Sequence, residues 1–253
     1  MADQRTHPSE NSADKKRRFL MVVDSDARNL SCLSTLLDRF NYQFCIATSA
    51  GEALESAMVA VPSLVITALG LKDMHGFELM RQLKQNPLTS QVPLIALNSH
   101  EDLDVKKRCL ELGALGCLSR PLDAETLYRT VQVAVEKNPR SCMRLRTVQP
   151  IKVNNMPDDG FYGAYTLDLS ERGMFLRTVN PVPVHTRLSL QLNIDGRIIE
   201  LEATVLYGCQ AGGGPYCEPG LGLQIVRIAP KDQQFIRQFI RNEVTRGIAP
   251  GNA

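Results

Sequence analysis

From Phe19 onward the chain alternates short apolar runs with segments whose apolar residues recur at helical spacing. Phe19–Val23, Gln43–Thr48, Leu64–Thr67, Leu94–Leu97 and Cys117–Ser119 read as buried strands. Between and after them, Ala27–Phe40, Ala50–Val61, Gly76–Gln85, Asp102–Leu112 and Ala124–Glu136 read as helices; in the first, Leu30, Leu33, Leu36 and Leu37 form one apolar stripe. Five such strand–helix units predict a parallel, doubly wound sheet with helices on both faces, an architecture that places ligands at the carboxyl ends of its strands.

The pattern changes at Asn138-Pro139, because proline pushes its preceding residue out of the helical region. Six strand-like runs follow: Arg146–Val153, Tyr162–Asp168, Gly173–Val179, Arg187–Ile194, Arg197–Leu206 and Gly222–Arg227. Gly, Pro, Asn and Asp separate them, and Asp195-Gly196 marks a tight hairpin. A small barrel is expected, closed by an amphipathic helix over Lys231–Val244 with Phe235, Ile236, Phe239 and Ile240 facing it. The organisation is a polar tail over 1–18, an α/β domain over 19–138, a β domain over 139–246 and a short tail over 247–253.

Composition narrows the function. No run of about 18 apolar residues is present, and the stretch after Lys15-Lys16-Arg17-Arg18 is too short for a secretion signal, so a cytoplasmic protein without a membrane span is expected. Seven cysteines stand singly with no C-x-x-C pair, which speaks against a disulfide framework or a zinc site; Cys209 and Cys217 flank a Gly212–Gly214 hairpin tip. Residues 19–138 hold 11 basic and 14 acidic side chains and residues 139–253 hold 13 and 10, so an anionic ligand fits the second half better. The basic cluster at 15–18 is a poor phosphate footprint, and no DNA partner is expected. The four histidines are isolated, and no catalytic triad, P-loop or metal-ligand set appears, so no enzyme and no metal or other cofactor is expected.

The runs MVVDSDARNL, LVITALGLKDMHGFELM, VPLIALNSHED and GALGCLSRPLD, in this order and spacing, resemble the receiver domains of two-component response regulators. In that family an acidic pair holds Mg²⁺, an aspartate accepts the phosphoryl group, and a hydroxyl and a lysine hold the product. The resemblance maps the acidic pair onto Asp24 and Ser25, the acceptor onto Ala68, the hydroxyl onto Asn98 and the lysine onto Arg120. Only Asp24 is retained, which implies a pseudo-receiver unable to accept phosphate. Asp26 and Asp73 lie outside the mapped positions, and Asp24 reads as a structural carboxylate, either a cap or the partner of Arg120. What remains is an interaction surface. The family's partner or dimer face corresponds to residues 102–138, although Leu127, Val131 and Val135 there also fit a core role.

Residues 139–244 resemble the PilZ family through two motifs: Arg140-Ser141-Cys142-Met143-Arg144 matches its R-x-x-x-R loop, and Asp168-Leu169-Ser170-Glu171-Arg172-Gly173 its D-x-S-x-x-G turn. Gly220-Leu221-Gly222 matches a later G-x-G strand. The resemblance implies a cyclic di-GMP ligand, with Arg140 and Arg144 clamping phosphates or guanine edges, Asp168 accepting from guanine N–H groups, Ser170 offering a hydroxyl and Gly173 allowing close approach. Arg146 and Arg172 flank the motifs as secondary candidates. A plainer reading also stands: a solvated arginine linker and an Asx-type turn. Two functions follow, a cyclic di-GMP-binding adaptor in motility or biofilm control, or a ligand-independent scaffold with both domains degenerate.

Overall fold

The computed structural model describes residues 19–137, 139, 142–154, 164–179, 181–210 and 218–248. The tails at 1–18 and 249–253, Arg140, Ser141, Tyr162, the Gly212–Gly214 tip and Cys217 lie outside the described residues. Contacts divide the chain into two units. The first holds residues 19–145 with 238–248, the second residues 146–237.

In the first unit, strands β1 (Leu20–Val23), β2 (Phe44–Ala47), β3 (Leu64–Ala68), β4 (Leu94–Asn98) and β5 (Gly116–Ser119) form one parallel sheet in the order β2-β1-β3-β4-β5. Helices α1 (Ala27–Arg39), α2 (Ala50–Val59), α3 (Gly76–Gln85), α4 (Leu103–Glu111) and α5 (Ala124–Val135) connect and follow them. Residues of the central strands are buried on both faces, as the unbroken apolar runs require. Met21, Val23 and Val65 share a core with Ala53, Leu79, Met80 and Cys109 of α2, α3 and α4. On the other helix pair, the α1 stripe of Leu30, Leu33, Leu36 and Leu37 is buried, as are Leu127 and Val131 of α5.

Helix starts follow from side-chain caps that satisfy otherwise orphaned N–H groups. Asp26 accepts from Arg28 and Asn29, Ser49 from Glu52, Asp102 from Asp104 and Val105, and Asp123 from Thr126.

The second unit is antiparallel. Its strands β6 (Ile151–Val153), β7 (Tyr165–Ser170), β8 (Gly173–Arg177), β9 (Arg187–Ile194), β10 (Arg197–Cys209) and β11 (Gly220–Ile228) are ordered β6-β9-β10-β11-β8-β7. The sheet curls into a half-barrel whose edge strands meet at a Pro150–Tyr165 bridge, where Ile151 N–H also donates to the Ala164 carbonyl. Asp195 and Gly196 take positive φ of 51° and 84°, the hairpin turn anticipated between β9 and β10. The first barrel strand is shorter than the apolar run suggests: only Ile151–Val153 pair with β9, whereas Thr147–Gln149 run beside β7.

Helix α6 (Pro230–Thr245) ends the fold. Ile236 is buried and Phe235 lies under the Arg197 guanidinium, 4.3 Å from Cζ to the ring centroid. Phe239 and Ile240 are buried too, and the contacts group residues from Gln238 onward with the first unit.

Candidate functional sites

At the carboxyl ends of β1, β3, β4 and β5 the first unit assembles Asp24, Ala68, Asn98 and Arg120, the residues that the sequence comparison brought together. Asp24 is 3% exposed. Its Oδ1 accepts from Asp26 N–H at 2.9 Å and its Oδ2 from Arg120 Nη2 at 2.9 Å. A carboxylate this buried needs a counter-charge, and the planar guanidinium provides it. Arg120 Nη1 is buried beside it and has no hydrogen-bond partner among the described residues.

The surrounding polar groups are bound into the loops. Ser25 Oγ donates to the Thr48 carbonyl at 2.9 Å and accepts from Lys72 N–H at 3.1 Å. Asn98 donates to the His100 carbonyl and accepts from Ser99 N–H. Asp73 accepts from Ala50 N–H at 3.0 Å and Gly51 N–H at 2.9 Å, and these bonds hold its carboxyl below the usual range. Asp26 is likewise held low by its cap bonds to Asn29 and Arg28. Both acids beyond the mapped positions therefore stabilise starts of helices. Among the described residues, no group of three His, Cys, Asp or Glu is placed to hold a metal.

In the second unit the candidate residues collect on one sheet face. Cross-strand partners share a face, and the register pairs Tyr165 with Arg177, Asp168 with Phe175 and Ser170 with Gly173. An irregularity between Thr166 and Asp168 adds one residue and brings Asp168 to the same side as Tyr165. Asp168 and Ser170 are buried, and the Ser170 hydroxyl donates to the Gly173 carbonyl at 2.8 Å, closing the turn. A Cβ on Gly173 would come within 2.5 Å of the Leu223 carbonyl, so here glycine is needed for the approach of β8 to β11. Arg172 is exposed and uses its carbonyl to accept from Ile225 N–H.

The chain leaving the arginine loop runs along β7. Thr166 Oγ1 donates to the Thr147 carbonyl at 2.8 Å, Gln149 N–H donates back to Thr166 Oγ1, and Thr166 N–H donates to the Gln149 carbonyl. Exposed Arg146 immediately precedes this segment and Arg144 is half-buried; Arg140 lies outside the described residues.

Arg177, Tyr165 and Tyr207 on this face, and Glu218 beside them, escaped the sequence reading. Arg177 Nε donates to Glu218 Oε2 at 3.2 Å, and its Cζ lies 5.6 Å from the Tyr165 ring centroid. Tyr207 lies over Gly222, where a Cβ would be 2.2 Å from its ring, so the G-x-G strand is a bed for an aromatic ring. Period-two alternation marks such residues as outward-facing but cannot show which strand they neighbour.

The response regulator receiver domain family matches residues 20–132 and the PilZ domain family residues 137–242. Transcriptional regulatory protein ZraR of Escherichia coli K12 is 28% identical over 116 residues, 46% of this chain but only 26% of that protein. Protein PilH of Pseudomonas aeruginosa is 25% identical over 116 residues, covering 46% of this chain and 96% of its own. Among solved structures, the Vibrio cholerae chemotaxis protein CheY4 aligns with 46% of this chain and 98% of its own at 25% identity and TM-score 0.44. The signal receiver domain of an HD domain-containing protein from Pseudomonas fluorescens Pf-5 aligns with 47% and 95% at 28% identity and TM-score 0.44. This chain therefore carries a response regulator receiver domain followed by a PilZ domain.

Proposed function

We propose that the chain is a cyclic di-GMP-binding signalling adaptor whose receiver domain accepts no phosphate and serves protein interaction. A receiver joined to a PilZ domain, the latter a cyclic di-GMP-binding module, supports a signalling adaptor, and both are non-catalytic signalling domains. The observation that carries the ligand reading is the course of residues 147–150 along β7. It directs the chain from the arginine motif alongside the strand that carries Asp168 and Ser170. Arginine forks for phosphate and a base-reading carboxylate for guanine suit, as residue types, a ligand with two phosphates and two guanines.

In the receiver, the position expected to accept phosphate is Ala68, whose methyl group has no nucleophile. A metal there would find Asp24 already paired to Arg120. The segment 102–138 is the proposed partner face, with motility or biofilm control as the proposed setting and the cytoplasm as the proposed location. No helix among the described residues is long and apolar enough to cross a membrane.

Calorimetric titration of the full chain with cyclic di-GMP tests the reading. Saturable binding that Arg144→Ala weakens at least about tenfold is expected, since a charge-assisted hydrogen bond contributes roughly 1.5–3 kcal/mol. Absence of heat with the wild type would sink it.

A further inference from the structure

In the second unit, two side chains outside both motifs meet on the carboxylate of a third. Arg177 Nε donates to Glu218 Oε2 at 3.2 Å, and the Tyr165 hydroxyl donates to the same oxygen at 3.5 Å. Tyr165 on β7 is the cross-strand partner of Arg177 on β8, and its ring centroid lies 5.6 Å from the Arg177 Cζ, within reach of a cation–π contact. The partner of Arg177 on its other flank is Gly220 of β11, which has no side chain to crowd it.

These contacts decide what Arg177 can offer. Glu218 takes Nε and the Tyr165 ring supports the guanidinium, which leaves Nη1 and Nη2 as a two-donor fork. Among the described residues, neither of these nitrogens has a hydrogen-bond partner. The Arg177 and Glu218 side chains are 36% and 42% exposed, so the fork is open to a ligand. Its charge, however, is offset by the carboxylate at 3.2 Å, which also repels an approaching phosphate. A donor fork with little net charge suits a pair of neutral acceptors better than an anion. Guanine presents such a pair in O6 and N7, whereas adenine sets an amino donor beside its N7. Asp168 stands on the same sheet face, and its carboxylate suits the opposite, N–H-bearing edge of guanine.

We infer that Arg177 is a guanine-reading residue of this domain, which takes O6 and N7 through its Nη fork while Glu218 offsets its charge. This rests on the cyclic di-GMP reading above, and the groups that form the fork all lie within the second unit. Adenine would bring its own donor against the fork, so the contact that holds guanine also rejects adenine.

The test uses the full chain and two ligands, cyclic di-GMP and its 7-deaza analogue, in which a C–H replaces the N7 acceptor of each guanine. Both are titrated into the wild type, Arg177→Ala and Arg177→Met; methionine keeps an apolar stem over Tyr165 and removes the donors. The wild type binds the analogue at least about fivefold more weakly than cyclic di-GMP, the size of one lost hydrogen bond. Both variants bind cyclic di-GMP at least about fivefold more weakly than the wild type does and lose the difference between the two ligands. Damage to the fold would weaken both ligands alike and leave their ratio unchanged. A wild type that binds neither ligand removes the nucleotide reading and this inference together. A wild type that binds the two ligands equally, or variants that keep the wild-type ratio, overturns this inference alone, because N7 is then unread or read by another group.

Discussion

Arg120 Nη2 meets Asp24 Oδ2 at 2.9 Å, and the two side chains are 12% and 4% exposed. Such a pair is a weak source of net stability, because both ions lose their hydration, yet losing one partner strands a buried charge. Arg120→Met is therefore expected to cost about 3–5 kcal/mol, and Asp24→Leu combined with Arg120→Met considerably less than the two single changes summed. Urea denaturation of the two single mutants and the double mutant gives the coupling directly. Additive losses would show that the pair is not one unit.

The same pairing bears on phosphorylation. With Ala68 at the end of β3 and Asp24 engaged by Arg120, acetyl phosphate and Mg²⁺ are expected to leave the receiver unlabelled. Ala68→Asp alone should not restore good acceptance. It supplies the nucleophile, but Ser25 and Asn98 remain bonded within the loops and Arg120 remains beside Asp24. Intact-mass measurement after treatment decides both points. A stable acyl phosphate on the wild type would refute the first, and efficient acyl phosphate formation on Ala68→Asp the second.

The elements of both domains could be read from the chain because their apolar periods, caps and turn residues agree. Asp195-Gly196 shows this at the level of one turn, with both residues at positive φ. The choice left open for Asp24, cap or partner of Arg120, resolves with Arg120 on Oδ2 and the backbone of Asp26 on Oδ1. Other features depend on contacts that no local pattern encodes. Asp73 receives N–H groups from residues 22 and 23 positions earlier, and Arg39 caps carbonyls more than 200 residues away. Gly222 is visible as part of a motif, but its reason, the Tyr207 ring lying on it from the neighbouring strand, needs the register of β10 and β11.

Asp73 should leave a signature in acid. Its folded-state pKa lies below the ordinary 3.8 because Gly51 and Ala50 donate to the charged form. Below 3.8 the unfolded chain thus binds more protons at this site than the folded one, so stability falls as pH falls. The contribution is complete above the unfolded value and is lost as pH drops through the lowered folded value. Asp73→Asn removes it. Chemical denaturation between about pH 2 and pH 5 is expected to show a shallower pH dependence for Asp73→Asn than for wild type; parallel curves would mean that the two cap bonds carry no charge-dependent stability.

Thiol reactivity separates the cysteines. Burial and the neighbouring Cys117 push the Cys109 thiol up to about 12, so almost no thiolate exists at neutral pH. Cys109 and Cys117 are both buried, whereas Cys142 is partly accessible. A brief maleimide pulse on the native protein, read by peptide mass spectrometry, is expected to modify Cys142 well before Cys109 or Cys117. Denaturant should abolish the difference. Rapid native labelling of Cys109 would contradict the packing of α4 against the sheet.

The proposed nucleotide site separates into two kinds of contact that can be told apart by experiment. Arg140 and Arg144 carry permanent charge, and neutralising either removes attraction to the ligand's phosphates. Affinity should fall at least about tenfold, and its dependence on salt should weaken, because screening acts on the charge that has been removed. Asp168 has the opposite character: on β7, opposite Phe175 and on the same face as Tyr165, it is suited to accept N–H groups from guanine. Asp168→Ala should therefore erode the preference for cyclic di-GMP over cyclic di-AMP, since adenine lacks the paired N–H edge, while the salt dependence stays close to that of the wild type. Ser170 and Gly173 serve as controls of the turn itself. Ser170 closes it through the Gly173 carbonyl, and Gly173 packs on Leu223, so Gly173→Ala should damage the fold and not only the preference. Two ligands titrated at two salt concentrations against Arg144→Ala and Asp168→Ala give the contrast. Equal salt slopes and equal ligand preference in these two mutants would refute the division into phosphate clamp and base reader, even in a protein that binds the nucleotide.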